Sequence, residues 1–279
     1  MFKFPIGVML DSFRVPIDEA LDKAVALGAQ GIQIYATKGE LGFKNLVGDK
    51  RREFLKKVRD HGLVISALCG DLDHFCNPAQ NPRLIEDSKR ILDLAVELDT
   101  NVVTTHIGVV PESKSHPRYG IMQEACYELS RYADSLNAHF AIETGPEPAA
   151  RLKGFLDDLH STGVAVNLDP ANLAMVIGDD PVAAVYSLRD YIVHTHAKDG
   201  KMLFEADPEI FYDMVKIEGE IPINFDETPL GQGSVDFPRY LAALDEIGYR
   251  GFLTIERECG DDPSTDIGNA ATFLRNLIK

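Results

Sequence analysis

The sequence predicts a (β/α)8 TIM barrel of the α/β class from two observations: eight short apolar runs resemble fully buried strands, and helical patterns lie between most of them. The runs cover residues 6–10, 31–36, 63–68, 102–108, 140–145, 164–170, 191–197 and 252–258. Strands that alternate with helices favour parallel pairing, and eight such units is the number that closes a barrel. A doubly wound open sheet is the structural alternative.

The helical stretches carry apolar residues at helical spacing. They cover residues 17–27, 49–61, 82–98, 121–135 and 155–161. Gly28, Gly62 and Gly163 come just past helices, and Pro82 and Pro181 stand near helix starts. No Pro-rich or Ser/Gly-rich linker divides the chain, so we expect one domain over residues 1–279.

The connection between the last two predicted strands is unusually long. It has about fifty residues, whereas the other connections hold a helix and short loops. The extra length, residues 201–235, leaves the C-terminal end of its strand, which is the catalytic face of barrel enzymes. We expect a long loop over that face that forms part of a lid, with a peripheral insertion as the alternative. Within it, LGQG predicts a turn that uses Gly231 and Gly233.

Composition limits the classes of function. The 279 residues are 45% hydrophobic and 26% charged, as in soluble globular proteins, and the net charge of -16 disfavours nucleic acid as a partner. Neither a secretory signal nor an apolar run of about 20 residues is present, so we expect a cytoplasmic protein without membrane association. The four cysteines are scattered and indicate neither a disulfide framework nor a thiolate zinc site.

Polar or titratable side chains stand near the ends of the last four predicted strands. They are Glu143, Asn167 with Asp169, His194 with His196, and Glu256 with Glu258. An isolated ionised carboxylate taken out of water shifts its pKa, finds a cation or destabilises the fold by several kcal/mol. Carboxylates and an imidazole in equivalent places of successive units therefore require a shared positive partner.

Strand geometry allows these groups to converge, because side chains two residues apart share a face and the inward ones enter the barrel. The set that can meet at the C-terminal mouth is Glu143, Asp169, His196 and Glu256. One divalent ion there would satisfy all four. Oxygen-rich ligation with one nitrogen favours Mn²⁺, which we expect first, or Mg²⁺ or Co²⁺, with Zn²⁺ as a further option.

Each residue also has a simpler interpretation. A single glutamate at a strand end is more often ion-paired or solvated than a metal ligand, and a single strand histidine is usually a hydrogen-bonded core residue. Asp169 precedes Pro170 and could only shape a turn. His194 either packs one layer beneath the metal and holds a carboxylate or is purely structural.

Five motifs carry a resemblance to a known family: AIETG, VNLDPANLAM, VHTHAKDG, LGQGSVDF and GFLTIERE. In these motifs the chain resembles the xylose isomerase-like TIM barrels, the superfamily of sugar phosphate isomerases and epimerases, ketose 3-epimerases, inosose dehydratases and endonuclease IV. The resemblance covers essentially the whole chain. It implies the same metal ligands, Glu143, Asp169, His196 and Glu256, and it gives Glu143 and Glu256 proton transfer as well.

The chain departs from the family pattern in two ways. Sugar epimerases of this type usually have a substrate-contacting histidine three residues after the aspartate ligand, and this chain has Asn172, which carries no proton at neutral pH. His106 matches a histidine of endonuclease IV, but the additional histidine and aspartate ligands of its three-metal site are missing. Together with the acidic composition, this argues against DNA repair.

These observations predict a divalent-metal-dependent isomerase or epimerase that acts on a small sugar or polyol through a metal-stabilised enediolate. Candidate substrate-binding residues follow the strands: His106, Glu147, Asn172, Lys198, Arg257 and Glu258. Arg14 and Arg118 could reach a phosphate. An inosose-type dehydratase and a metal-containing barrel that only binds a ligand are the alternatives. The identity of the sugar, its phosphorylation and a homo-oligomeric state stay open.

Overall fold

The computed structural model describes residues 2–212, 214–216, 218–219 and 223–278. Within these ranges, eight parallel strands close a barrel. The strands are β1 (Ile6–Met9), β2 (Gly31–Tyr35), β3 (Val64–Cys69), β4 (Val102–Thr105), β5 (His139–Glu143), β6 (Val164–Leu168), β7 (Ile192–Ala197) and β10 (Leu253–Ile255). Their order around the barrel is β1-β10-β7-β6-β5-β4-β3-β2. The predicted barrel is therefore confirmed, and the open sheet is excluded.

The strands are apolar because parallel barrel strands are covered on both faces. All five residues of β6 are buried, and the core continues outward to the inner faces of the surrounding helices. The strand register aligns the polar side chains of the site: Glu143 lies opposite Asn167, and Asn167 lies opposite His194. Polar residues on three adjacent strands thus share one level of the barrel.

Helices cover the outside of the barrel. They are α1 (Ile17–Ala26), α2 (Asp49–Asp60), α3 (Asn81–Glu97), α4 (Pro117–Leu136), α5 (Ala149–Asp157), α7 (Pro181–Ser187), α9 (Phe237–Glu246) and α10 (Pro263–Ile278), with the single turn α6 (Pro170–Asn172) following β6. The helix predicted over residues 155–161 was misplaced. It begins after Pro148 and buries Leu152, Phe155 and Leu156, and the chain leaves helical geometry before His160, whose φ is 48°.

Strands β4 and β10 end three residues earlier than predicted, because side chains capture backbone N–H groups just beyond their ends. After β4, the His106 N–H donates to Asp71 Oδ1 at 3.3 Å. After β10, the N–H of Arg257 donates to Ser12 Oγ at 3.1 Å and that of Glu258 to Glu227 Oε1 at 3.0 Å. The backbone therefore turns out of the sheet at the C-terminal mouth.

The predicted loop 201–235 contains regular structure. An antiparallel pair, β8 (Asp199–Met202) with β9 (Phe225–Thr228), encloses the short helix α8 (Pro208–Phe211). Residues 213, 217 and 220–222 of this loop lie outside the described residues, as do residues 1 and 279 of the predicted domain.

The LGQG turn follows β9 and wraps around one carboxylate. Asp199 Oδ2 accepts from the N–H groups of Gly231 at 3.0 Å and Gly233 at 2.9 Å, and Oδ1 accepts from that of Val235 at 3.1 Å. Gly231 has a φ of 85°, and a Cβ on Gly233 would lie 2.0 Å from Asp199 Oδ1. Both glycines are therefore required by the geometry of this turn. Across the described ranges, the helices are too short or too polar to span a bilayer.

Candidate metal centre

The four predicted metal ligands meet at the C-terminal mouth of the barrel. Each residue of the set offers one ligand atom, and these atoms all lie within 4.8 Å of one another; the set is Glu143, Asp169, His196 and Glu256. All four side chains are buried. They adjoin a cavity of about 230 Å³ that is lined by three of them and by residues of β2, β3, β4 and the 201–235 segment.

His196 presents Nδ1 to the carboxylates. Nδ1 lies 3.2 Å from Glu256 Oε2, 3.3 Å from Asp169 Oδ2 and 3.6 Å from Glu143 Oε1. On the other side of the ring, Nε2–H donates to Gln33 Oε1 at 3.0 Å. Burial lowers the pKa of His196, but the charges of Glu256 and Glu143 outweigh burial and raise it well above its usual range. Because Nε2–H is held by Gln33, Nδ1 is the nitrogen that would bind a cation, and it must release its own proton to do so.

Asp169 has a separate task for each oxygen. Oδ1 accepts from the N–H groups of Ala171 at 2.8 Å and Asn172 at 3.0 Å, which caps the helical turn α6. Oδ2 faces His196. The turn-shaping and metal-ligand interpretations of Asp169 are therefore compatible, since one carboxylate can do both.

Glu143 is held by two amides. Asn172 Nδ2 donates to Oε1 at 3.0 Å, and Asn167 Nδ2 donates to Oε2 at 2.9 Å. One layer deeper, His194 Nδ1–H donates to Asn167 Oδ1 at 2.9 Å, and Thr254 Oγ1–H donates to His194 Nε2 at 2.9 Å. The expectation that His194 holds a carboxylate is wrong in its detail: His194 holds the amide that holds Glu143. Burial lowers the pKa of His194 well below its usual range, which keeps the ring neutral.

Glu256 is shared by a histidine and a lysine. Lys198 Nζ donates to Glu256 Oε2 at 3.1 Å and also bonds Glu258 Oε2. Burial opposes ionisation of Glu256, but His196 and Lys198 outweigh it and hold its pKa well below the usual range. Burial likewise opposes the charge of Lys198, and the charges of Glu256 and Glu258 raise its pKa well above the usual range. Both partners are therefore ionised.

His106 forms a second pair at the wall of the cavity. Its Nδ1–H donates to Asp71 Oδ2 at 2.9 Å, and its Nε2 lies 3.9 Å from Glu143 Oε1. Burial lowers the pKa of His106, but the charges of Asp71 and Glu143 raise it to about 10. A protonated imidazole thus faces the cavity, with the ring of Tyr212 packed against it at a centroid distance of 5.6 Å.

The 201–235 segment covers part of the cavity. Phe211, Tyr212 and Phe225 from this segment line it. Arg118 forms an ion pair with Glu209, which joins the start of α4 to α8. These contacts bring the segment across the C-terminal mouth.

Two predicted substrate residues have their side chains outside the cavity lining. Arg257 Nη1 donates to Glu227 Oε1 at 2.7 Å and its Nε donates to Asp266 Oδ2 at 2.9 Å, so the guanidinium binds the chain itself. Glu147 is buried, and its Oε2 accepts from the N–H of Val110 at 2.8 Å. The other four candidates, His106, Asn172, Lys198 and Glu258, line the cavity.

Sequence reasoning missed several residues of the site. Gln33 orients His196, and its own Nε2 donates to Thr104 Oγ1 at 2.9 Å. Asp71 pairs with His106, and Tyr212 and Glu227 come from the long segment. Gln33 had a usable signal, because it is a polar residue inside the otherwise apolar run 31–36.

The donor set fits a divalent cation. Three buried carboxylates converge on one imidazole nitrogen, and oxygen-rich donors with one nitrogen suit Mn²⁺, Mg²⁺, Co²⁺ or Zn²⁺. Hydrogen bonds of Glu143, Asp169 and His196 with neighbouring groups orient these candidate ligands, as outer-shell partners do in metal sites.

Known proteins share this architecture. An uncharacterized protein of Methanocaldococcus jannaschii is 26% identical in an alignment 233 residues long that covers 75% of this chain and 70% of the relative. A xylose isomerase domain protein from Planctomyces limnophilus superposes with a TM-score of 0.80 at 25% identity, over 99% of this chain and 96% of that one.

Two further solved structures are similar in fold. A D-tagatose 3-epimerase-like protein has a TM-score of 0.74 at 18% identity and covers 99% of this chain and 98% of its own. The probable 3-DHS dehydratase AsbF of Bacillus anthracis has a TM-score of 0.74 at 19% identity and covers 98% and 99%. The model of one family matches residues 21–277. This match covers most of the chain and agrees with the closed barrel, so the chain belongs to the xylose isomerase-like TIM barrel family.

Proposed function

We propose that this protein is a divalent-metal-dependent isomerase or epimerase of a small sugar or sugar derivative. The observation that carries the proposal is the buried set of three carboxylates and one imidazole beside a cavity at the catalytic face of the barrel. The epimerase-like neighbour supports the reaction class only through its shared fold.

Glu143, Asp169, His196 and Glu256 would hold the metal ion. When bound, the ion supplies Lewis-acid stabilisation of the negative charge that develops on a substrate oxygen as a neighbouring carbon loses its proton. Asp169 and His196 would mainly hold the ion in place. Each is anchored to the barrel through its second polar atom, Asp169 through Oδ1 and His196 through Nε2.

Glu143 and Glu256 are the proposed proton carriers. Both carboxylates line the cavity, and each is oriented by a neighbour: Asn172 donates to Glu143 and Lys198 donates to Glu256. Glu256, as the carboxylate, accepts the proton from the carbon next to the carbonyl, and Glu143, as the carboxylic acid, returns a proton to the opposite face in an epimerase or to the adjacent carbon in an isomerase. Asn172 serves as a positioning group, because its amide does not carry a proton.

A dehydratase is the second candidate, and His106 is the observation that favours it. A protonated imidazole that lines the cavity can give its proton to a leaving hydroxyl group, after Glu143 or Glu256 has taken a proton from the adjacent carbon. The probable 3-DHS dehydratase has the same fold. The two candidates differ in their products, since a dehydratase releases water.

The test is incubation of Mn²⁺-loaded protein with a panel of free ketoses and inososes in D₂O, followed by NMR and mass spectrometry. An isomerase or epimerase incorporates deuterium at carbon without loss of water, whereas a dehydratase gives an enone or diketone. Binding of a panel member without exchange or product contradicts both enzymatic candidates and favours a ligand-binding barrel.

Matched variants test the assigned carriers. Glu143→Gln and Glu256→Gln should each abolish exchange while ligand binding is retained, whereas Glu112→Gln, at an exposed position, should behave as the unmodified protein. Undiminished exchange in either site variant would exclude that glutamate as a proton carrier.

A further inference from the structure

Acidic residues predominate among the charged side chains that line the cavity. Four of its lining residues are carboxylates, namely Asp71, Glu143, Glu256 and Glu258, and Lys198 is the one lysine or arginine among the described residues that line it. Asp169 adds a fifth carboxylate from the ligand set. A divalent ion and Lys198 together supply three positive charges against these five carboxylates, so the carboxylates remain in excess whether or not His106 carries a charge.

The ammonium group of Lys198 is already in contact with three glutamate side chains. Its Nζ donates to Glu256 Oε2 at 3.1 Å, bonds Glu258 Oε2 and lies 3.7 Å from Glu227 Oε2. The Glu258 side chain is 56% exposed, whereas that of Lys198 is 3% exposed. Glu258 thus places a partly exposed negative charge in direct contact with the only lysine of the described cavity wall.

The two arginines that could have reached a phosphate are also engaged. Arg14 donates from Nη1 to Gly260 O at 2.9 Å and from Nη2 to Glu258 O at 2.5 Å. Arg118 is paired with Glu209. Neither arginine is part of the cavity lining.

Backbone N–H groups that could cradle a phosphate are taken by the protein's own carboxylates. Asp169 Oδ1 accepts from the N–H groups of residues 171 and 172, and Asp199 Oδ2 accepts from those of Gly231 and Gly233. Barrel enzymes often bind phosphate with the loops after their seventh and eighth strands. In this chain those loops, after β7 and β10, carry Asp199 and Glu258.

We propose that this site selects uncharged polyhydroxy ketones or cyclic polyols and rejects phosphorylated and carboxylated sugars, with Glu258 as a specificity-determining residue that masks Lys198. The inference rests on the proposed function for the type of substrate, but the charge selection follows from contacts within the chain. An added anion would meet Glu258 and Glu256 before it reached an unpaired cation.

The experiment compares matched ligands by calorimetry on Mg²⁺-loaded protein. The pairs are D-fructose with D-fructose 6-phosphate and D-glucose with D-glucuronate, and inorganic phosphate is a probe that depends on no reaction. We expect at least one uncharged member to bind, its anionic partner to bind about tenfold more weakly or not at all, and phosphate to leave the melting temperature of metal-loaded and metal-free protein unchanged.

Glu258→Gln unmasks Lys198 and should improve binding of the anionic probes about fivefold, the scale of one partly exposed charge, while Glu112→Gln should not. Circular dichroism checks that the variant folds. The charge selection is overturned if an anionic member binds the unmodified protein more tightly than its uncharged partner, if phosphate stabilises the unmodified protein as much as the variant, or if no uncharged member binds. Turnover of a phosphorylated ketose in D₂O would contradict the charge selection and support the proposed isomerase or epimerase activity. Selective binding of uncharged members without deuterium exchange would support the charge selection and contradict that activity.

Discussion

Asn172 stands where a proton-carrying histidine would have been expected, and its amide instead donates to Glu143 Oε1 at 3.0 Å. Asn172→Ala removes this donor and keeps the backbone N–H that bonds Asp169. We expect metal affinity or turnover to fall about 10- to 100-fold, as for other outer-shell partners of metal ligands. Mn²⁺ titration and deuterium exchange measure this effect. Asn101→Ala, at an exposed position before β4, is the control, and equal values for both variants would contradict the assigned role.

Glu147 is a buried acid that couples stability to pH. Burial raises its pKa from 4.5 to about 7, and its Oε1 has no hydrogen-bond partner within the described structure. The folded-state pKa lies above the unfolded one, so the protonated carboxyl of Glu147 favours the folded state. This contribution to stability is complete below pH 4.5 and is lost as the pH rises through about 7. The unfolding free energy of the unmodified protein should therefore fall by about 3 kcal/mol relative to Glu147→Gln across this window. Urea unfolding at several pH values measures the difference, and parallel curves would refute it.

Site residues on the predicted strands could be predicted from the sequence, whereas those in loops could not. Glu143, Asp169, His196 and Glu256 were predicted as a converging set because strand period fixes which side chains face inward. Asp71 was not predicted, because it lies beyond the apolar run that marks its strand. Tyr212 was not predicted either, because pattern within a long loop does not determine where the loop packs.

The hairpin of β8 and β9 supports the site through Glu227. Its carboxylate bonds Arg257, accepts from the N–H groups of Glu258 and Cys259, and faces Lys198. One side chain of β9 therefore fixes the loop after β10. The sequence indicated an insertion at this place but not this contact, because the partners are about thirty residues apart and no local period relates them.

Glu227→Gln removes the negative charge that faces two buried cations, Arg257 and Lys198. We expect a loss of about 3–5 kcal/mol in unfolding free energy, because breaking a buried ion pair leaves its remaining charge uncompensated. Urea denaturation measures the loss. Asp226→Asn changes the exposed neighbour on the same strand and should cost far less, and similar losses in the two variants would show that the carboxylate of Glu227 is not needed.

At the scale of the whole molecule, the fold was predictable and the element ends were less so. Eight apolar runs separated by helical stretches predict a parallel sheet covered on both faces, and the number of eight units favours the closed barrel over the open sheet. The ends of β4 and β10 were set by Asp71, Ser12 and Glu227, which are distant in sequence. Tertiary hydrogen bonds of this kind leave no local pattern.

Metal removal should lower the stability of the whole barrel, because the buried carboxylates lose their shared cation. Saturation at about 100 times the dissociation constant corresponds to about 2.7 kcal/mol. We expect chelation to lower the melting temperature and Mn²⁺ to restore it. Asp169→Asn keeps an oxygen for the helix cap and loses a ligand, so it should reduce the Mn²⁺-dependent shift, whereas Glu112→Gln should retain it. A shift of unchanged size in Asp169→Asn would exclude Asp169 as a ligand.

The bond from His196 to Gln33 joins β7 to β2, which are separated by β10 and β1 around one side of the barrel. An N-terminal or C-terminal half of the chain cannot make this bond, since the two residues are 163 positions apart. During refolding, high-affinity Mn²⁺ uptake should therefore develop only as the first and last strands come together, later than the bulk of the helical signal. The time course of Mn²⁺ uptake would then report when the barrel closes.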